Sequence, residues 1–327
     1  MSRLRSVFIV PAILVALAGM PARGADRLVL QLGWLAEPES GGFLQARETG
    51  LYEKSGIDLA VKLGSPQANT MQLLLMGRAD FILAPSTDAL NAARAGFPVV
   101  VVAAVFQRDP YVIIAHKGAG NDTLQSMRGK PIMIAPADRV TFWPFLRSRF
   151  GFSDEQIRPY ASNSGPFMAD KYAIQQGYVT SEPFGLKKLG ADVNVILLSD
   201  QGYDNYGETL ITTRDMVSKS PDLVQRFVDA SIRGWYAYLY GDPVAANRYI
   251  KRNNPEMGDD QIAYSIAKMK EVGLVDSGET KSNGIGAMSD ARWRRMAGQM
   301  ISLGIYPAGV NYRSVYTLQF VNKRVGM

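Results

Sequence analysis

The chain has 327 residues, of which 47% are hydrophobic and 20% charged. This balance excludes disordered, collagen-like and coiled-coil architectures, which lack either the apolar content or the aperiodic mix that a packed core requires. At roughly 150 residues per domain the length predicts about two domains, each able to bury its own core. There is no cysteine and a single histidine, His116. Disulfide frameworks, thiol nucleophiles, thiolate zinc sites and iron–sulfur clusters are therefore out of reach, and a Ser-His-Asp triad or a His-rich metal site lacks its parts. No catalytic residue, metal site or cofactor is expected.

Arg3 and Arg5 precede an apolar run over residues 7–18, and Ala22-Arg23-Gly24 places small residues where a signal peptidase reads. Residues 1–24 are thus expected to be an export signal cleaved before Ala25. A membrane anchor would need ~20 apolar residues, and Pro11, Gly19 and Pro21 keep this run short. No cysteine follows the run to carry a lipid, so the expected location is free in a periplasm. The formal charge of +6 falls to +3 once Arg3, Arg5 and Arg23 leave with the signal, and no run of five like charges exists. A phosphate-tracking stripe is absent from the pattern, so nucleic acid is not an expected partner.

In the mature chain, residues 28–34, 57–63, 80–84 and 99–106 read as short buried strands, with helices over 43–52, 67–76 and 87–95 between them. Glycines 50, 77 and 96 punctuate the helix ends. This βαβαβαβ series predicts a parallel sheet flanked by helices, with a pocket outside the strand carboxyl ends. A second series follows, with strands over 111–116, 131–135, 177–180 and 193–198 and helices over 141–150, 169–176 and 182–189. Ser153 with Gln156 forms a capping-box pattern. Residues 209–213 then read as a returning strand. Ser220-Pro221 and Asp242-Pro243 start helices, and two more span 259–272 and 289–303. With no Gly-, Pro- or Ser-rich linker, this tail is expected to pack on the first lobe. The expected division is residues 25–110 with 207–327 as one lobe and 111–206 as the other, with crossings near 108–111 and 206–209.

Two α/β lobes, two crossings, an export signal and a helical tail resemble the periplasmic solute-binding proteins of ABC importers. The resemblance sharpens in Gly33-Trp34, Gly41-Gly42-Phe43 and the run from Glu48 through Gly50-Leu51-Tyr52-Glu53-Lys54-Ser55-Gly56 to Asp58. It continues in Gly77-Arg78-Ala79-Asp80-Phe81, Arg128-Gly129-Lys130-Pro131 and Thr180-Ser181-Glu182-Pro183-Phe184. These words are similar to the NMT1 and pyrimidine-precursor-binding branch, which includes binders of nitrate, sulfonates, riboflavin and thiamine precursors. The resemblance implies the type II two-lobed periplasmic-binding-protein fold, each lobe a mostly parallel sheet. It also implies a small-molecule ligand, an ABC permease with its ATPase as partner, contact with the membrane only through that permease, and a monomer. The same branch includes pyrimidine-precursor synthases that rely on a cysteine-rich motif and an active-site histidine, which this cysteine-free chain cannot reproduce. A periplasmic sensor remains a further alternative.

The recurring words are mostly scaffold, so recognition is expected in loops at strand ends and helix N-termini, where backbone N–H groups are free. The loop over 34–40 offers Trp34 as a stacking plane and Glu37 and Glu39 as acceptors, or a lobe-edge Trp with solvated acids. Ser86, Thr87 and Asp88 read either as ligand contacts or as a helix cap. Thr141, Phe142 and Trp143 read either as a donor with a closing ring or as a buried helix start. Glu182 either faces the cleft or compensates the helix dipole. Tyr203 and Tyr206, at the second crossing, supply rigid contact area with a polar tip or pack a hinge. His116 reads as structural. Acids and aromatics outnumber the nearby bases, Arg108 and Arg139, which favours a heteroaromatic ligand over an anion. A thiamine pyrimidine precursor is expected first, riboflavin second, a sulfonate or nitrate only if Arg139 turns inward.

Overall fold

A computed structural model describes residues 24–65, 69–160 and 163–327. The expected export signal lies outside the described residues except for Gly24, as do Gln67 and Ala68 of an expected helix. Among the described residues no helix is long and apolar enough to cross a membrane.

Four strands open the chain: β1 (Asp26–Gln31), β2 (Ile57–Lys62), β3 (Phe81–Ala84) and β4 (Val99–Phe106). Helices α1 (Gly41–Glu48), α2 (Leu51–Lys54), α3 (Thr70–Leu75) and α4 (Ser86–Arg94) lie between them, the single helix expected over 43–52 being broken at Gly50. The second series is β5 (Tyr111–His116), β6 (Ile132–Ile134), β7 (Ile157–Pro159), β8 (Ile174–Tyr178) and β9 (Val193–Leu197), with α5 (Trp143–Phe150), α6 (Gly165–Ala169) and α7 (Glu182–Lys188). The strand β10 (Glu208–Thr213) and helices α8 (Arg214–Lys219), α9 (Pro221–Tyr240), α10 (Val244–Asn253), α11 (Asp259–Glu271), α12 (Thr280–Asn283) and α13 (Asp290–Ser302) complete the chain.

The strands form two five-stranded sheets, ordered β2-β1-β3-β10-β4 and β7-β6-β8-β5-β9. The first is not the continuous parallel sheet that the opening series predicts. β10 runs antiparallel between β3 and β4, pairing with both. All eight residues of β4 are buried, the signature of a strand covered on both faces. In the second sheet β5 is antiparallel to β8 and to β9.

The helix expected over 169–176 is corrected. Its C-terminal half is strand β8, where Ile174, Gln175, Gln176 and Gly177 are buried in the sheet. Pairing with β5 on one side and β6 on the other overrides the helical preference of two glutamines. β7, not anticipated, is the sheet edge, where Pro159 leaves no ladder donor missing. The capping box at Ser153 and Gln156 is present, with the Ser153 N–H donating to the Gln156 side chain (3.0 Å).

The two crossings pack directly on each other. The Gly207 N–H donates to the Phe106 carbonyl (3.0 Å), and a β-carbon at Gly207 would lie 2.6 Å from the Arg108 carbonyl oxygen. The tail packs chiefly on the first lobe, α9 against α1 and α2 and α10 against α1. However, α11 also grips the second lobe: Asp260 pairs with Lys188 (2.7 Å), and Ser265 Oγ donates to the Thr180 carbonyl (2.8 Å).

The α1–α9 contact depends on missing side chains. A β-carbon at Gly234 would sit 2.2 Å from the Gly42 carbonyl oxygen, and one at Gly42 would sit 2.2 Å from the Trp235 ring. Gly234→Ala should therefore lower stability by about 1–3 kcal/mol, because overpacking exceeds the helix-propensity gain. Gly298→Ala in α13, with open space around it, should instead raise stability by about 0.5–1 kcal/mol. Thermal unfolding of the two variants reads the opposite signs.

Candidate functional site

The site lies where the lobes meet, and its floor is built from carboxylates. Pro38 starts a short 3-10 turn, Pro38–Ser40, directly after the extended Glu37. That turn carries Glu39 into the interface, where its Oε1 accepts a hydrogen bond from the Thr180 hydroxyl of the other lobe. Its Oε2 is buried without a hydrogen-bond partner among the described residues. Glu208, the first residue of β10, has an unpartnered buried Oε2 as well. From the second lobe, Glu182 opens α7 and folds back on β8, accepting from the Tyr178 N–H (2.7 Å) and the Tyr160 hydroxyl (2.9 Å). Gly177 makes room for this fold, since a β-carbon there would lie 2.9 Å from that of Glu182.

Three aspartates continue the lining. Asp138, in the turn after β6, is buried and accepts from the side chains of Tyr111, Gln176 and Thr141. Asp109, at the first crossing, accepts from the Tyr111 N–H (3.0 Å) and leaves Oδ2 unpartnered. Asp88 lies in the first turn of α4, beside the Ser86 and Thr87 hydroxyls, which are buried and unpartnered. An orphaned buried polar atom costs roughly 1–3 kcal/mol, so a cluster of them marks a place where a ligand completes the hydrogen bonding.

The charges sense one another across the cleft. Burial raises the Glu37 carboxyl well above its usual range, reinforced by Glu39 and Glu182, while the Trp34 indole works in the opposite direction. Burial also raises Glu39, partly offset by the Thr180 hydrogen bond, and Glu182, partly offset by Tyr178 and Tyr160. Glu208 is pushed up to about 8 by burial and then by Glu39. Asp88 and Asp109 are each pushed up to about 7, first by burial, with Asp138 adding repulsion. Among the described residues, none of these seven carboxylates forms an ion pair with Lys or Arg. Nor does any group of three or more His, Cys, Asp or Glu among them have the geometry to hold a metal ion. The arrangement suits a ligand that brings several N–H donors or a positive charge.

The sequence-predicted residues divide. Trp34 is 39% exposed beside Glu37, and Glu37, Ser86, Thr87, Asp88 and Glu182 gather as described. Thr141 is buried and donates to Asp138, so it holds a carboxylate rather than presenting a free hydroxyl. Phe142 packs on the Tyr111 ring (4.6 Å between centroids) behind Asp138. Trp143 does not close over the cleft: its indole N–H donates to Asp154 (2.8 Å) and its ring meets Phe152, because the helix start turns it into the second lobe's own core. Tyr203 packs its ring against Phe145, while its buried hydroxyl, near Asp109 and Asp88, is among the orphaned polar atoms of the site. Tyr206 is drawn into the tail, donating to Glu279 (2.9 Å) beneath the Arg292 guanidinium, and so ties the crossing to α13. His116 donates from Nε2 to the Phe167 carbonyl (3.0 Å) and stacks on that ring, as a structural histidine does. Arg108 is held by Asp200 and the Val272 carbonyl.

Asp109, Asp138, Glu208 and Tyr160 are not among the sequence candidates. The signal was weak but present for two of them: Asp109 and Glu208 are the acids in or beside the chain crossings, where backbone passes the cleft.

Comparison with known proteins agrees with this architecture. A family model described as NMT1/THI5 like matches residues 37–246, well over half of the chain. The riboflavin-binding protein RibY of Chloroflexus aurantiacus is 25% identical over 248 residues, 74% of this chain and 70% of that protein. A 4-amino-5-hydroxymethyl-2-methylpyrimidine phosphate synthase of Legionella pneumophila is 26% identical over 239 residues, 71% of this chain and 75% of that protein. Among solved structures, the periplasmic aliphatic sulphonate binding protein SsuA of Escherichia coli superposes with a TM-score of 0.67 at 14% identity, covering 88% of this chain and 91% of that one. The chain therefore has the two-lobed periplasmic-binding-protein fold and belongs to the NMT1/THI5-like family.

Proposed function

We propose that this chain is the solute-binding component of an ABC importer, exported to the periplasm as a monomer that docks on a permease with its ATPase. In this reading residues 25–110 and 207–327 form one lobe and 111–206 the other, closing on the ligand. The ligand is an amino-bearing heteroaromatic nutrient, a thiamine pyrimidine precursor first. Riboflavin is second, favoured by the likeness to a riboflavin-binding protein. The observation that carries the reading is the interlobe floor of seven carboxylates, none paired with a cation among the described residues, beside the Trp34 plane. Such a floor accepts hydrogen bonds from ring N–H and amino groups, which favour its ionised form, and offers a sulfonate no paired cation.

The ligand is bound without turnover. The chain has no cysteine, and its histidine is engaged with Phe167, so neither supplies a nucleophile or base to the cleft. Calorimetry with 4-amino-5-hydroxymethyl-2-methylpyrimidine, riboflavin and an alkanesulfonate tests both points, followed by recovery of the ligand for mass spectrometry. Binding of the pyrimidine or the flavin, weaker binding of the sulfonate and an unaltered ligand are expected. Sulfonate binding with neither pyrimidine nor flavin bound, or a product that disappears in His116→Ala, would overturn the reading.

A further inference from the structure

A groove of about 760 Å3 opens between the lobes beside the carboxylate floor. One wall is the C-terminal half of α4, with Asn91 and Arg94, together with Tyr306 of the tail; the facing wall carries Arg139 and, on α5, Arg147. Its lining holds three guanidinium groups and no carboxylate, the reverse of the floor beside it. Arg94 lies over the Tyr306 ring (4.7 Å) and donates to Asn91 Oδ1 (3.4 Å), which orients it. Arg147 is shared with Asp154 behind the groove (3.1 Å). Arg139 is exposed and forms no hydrogen bond or ion pair among the described residues.

Acidic and basic ends adjoin through two elements. Asp88, Asn91 and Arg94 recur at three-residue spacing along α4, which places them on neighbouring positions of one face and the two charges about 9 Å apart along the axis. In the facing lobe Arg139 directly follows Asp138. A molecule reaching from floor to groove passes from hydrogen-bond acceptors to planar guanidinium donors suited to an oxyanion.

We propose that the groove is an oxyanion subsite, so that the ligand is an amino-bearing heteroaromatic carrying a phosphate, rather than the free alcohol. The ring identity rests on the function proposed above; the subsite rests on the arginines. Because Arg94 belongs to one lobe and Arg139 and Arg147 to the other, the anion bridges the lobes and helps hold them closed.

The test titrates the purified protein with 4-amino-5-hydroxymethyl-2-methylpyrimidine, its phosphate monoester and inorganic pyrophosphate, in the native chain and in Arg94→Gln/Arg139→Gln. The ester should bind at least tenfold more tightly than the alcohol, and the variant should erase that difference while leaving alcohol affinity unchanged. An ester no tighter than the alcohol overturns the subsite and leaves the cleft reading standing. An ester advantage that persists in the variant also overturns it, since the anion then lies elsewhere. If neither pyrimidine binds, the ring assignment fails and pyrophosphate decides: salt-sensitive binding lost in the variant sustains the subsite, and no binding overturns it.

Discussion

Raising the pH from about 5 to about 8.5 should open the ligand-free protein, visible in small-angle scattering as an increased radius of gyration and in calorimetry as a lower Tm. The cause is the carboxylate floor. Asp88 and Asp109 are each held up to about 7 and Glu208 to about 8, mainly by burial. A carboxyl moved that far retains its proton by on the order of 4 kcal/mol more than it does in water. For acids raised in the folded state, the native form binds more protons than the unfolded chain between the two titrations, so stability falls as pH rises through that interval. The loss should therefore begin near pH 4, where the same groups titrate when exposed, and be complete just above pH 8. Hinge opening relieves it at less cost than unfolding, because water reaches the carboxylates once the lobes part. A pyrimidine amine or ring N–H should restore the closed form at high pH by supplying the missing donors. A radius of gyration independent of pH and of a bound ligand would show the lobes to be rigid.

Glu39→Gln should weaken an amino-bearing heteroaromatic ligand by about ten- to hundredfold, the equivalent of removing one hydrogen bond to a charged acceptor, roughly 1.5–3 kcal/mol. The position is chosen because its Oε1 is occupied by Thr180 across the interface and its Oε2 is buried and unpartnered. The amide keeps an oxygen for the Thr180 hydroxyl, so closure survives while the charge is lost. The same change should pull the Glu208 and Glu37 carboxyls down toward their ordinary range, since Glu39 repels both. Trp34→Ala should cost about tenfold by loss of the stacking plane. For a sulfonate the sign of Glu39→Gln reverses, because a nearby negative charge is removed. Tighter sulfonate binding in that variant, with no pyrimidine or flavin binding to the native chain, would replace the heteroaromatic reading with the anion one.

Much of this molecule is local. Strands β4 and β5 match their expected residues because each is a short apolar run between turn signals, and the returning strand β10 was legible for the same reason. Helices α9 and α13 start where Ser220-Pro221 and Ser289 direct, the latter with its Oγ accepting from the Arg292 N–H (3.2 Å). Where expectation failed, a neighbour distant in sequence had decided. The β8 segment lies between two strands whose pairing outweighs its own preference. Trp143 and Tyr206 are aromatic residues beside plausible cleft loops, but Asp154 claims the first and Glu279 the second.

The sequence by itself determined most of the elements, the two-lobed α/β class and the kind of chemistry available, because periodicity, capping side chains and residue inventory act within a few residues of chain. Only the tertiary structure decided the site. Of its carboxylates, those at 37, 39, 88 and 182 stand in loops or helix starts that the sequence nominates, but local pattern leaves them indistinguishable from caps or solvated acids, and those at 109, 138 and 208 are gathered only by the fold. What distinguishes them is exclusion from water beside like charges, a property that exists only after two lobes from separate stretches of chain have met.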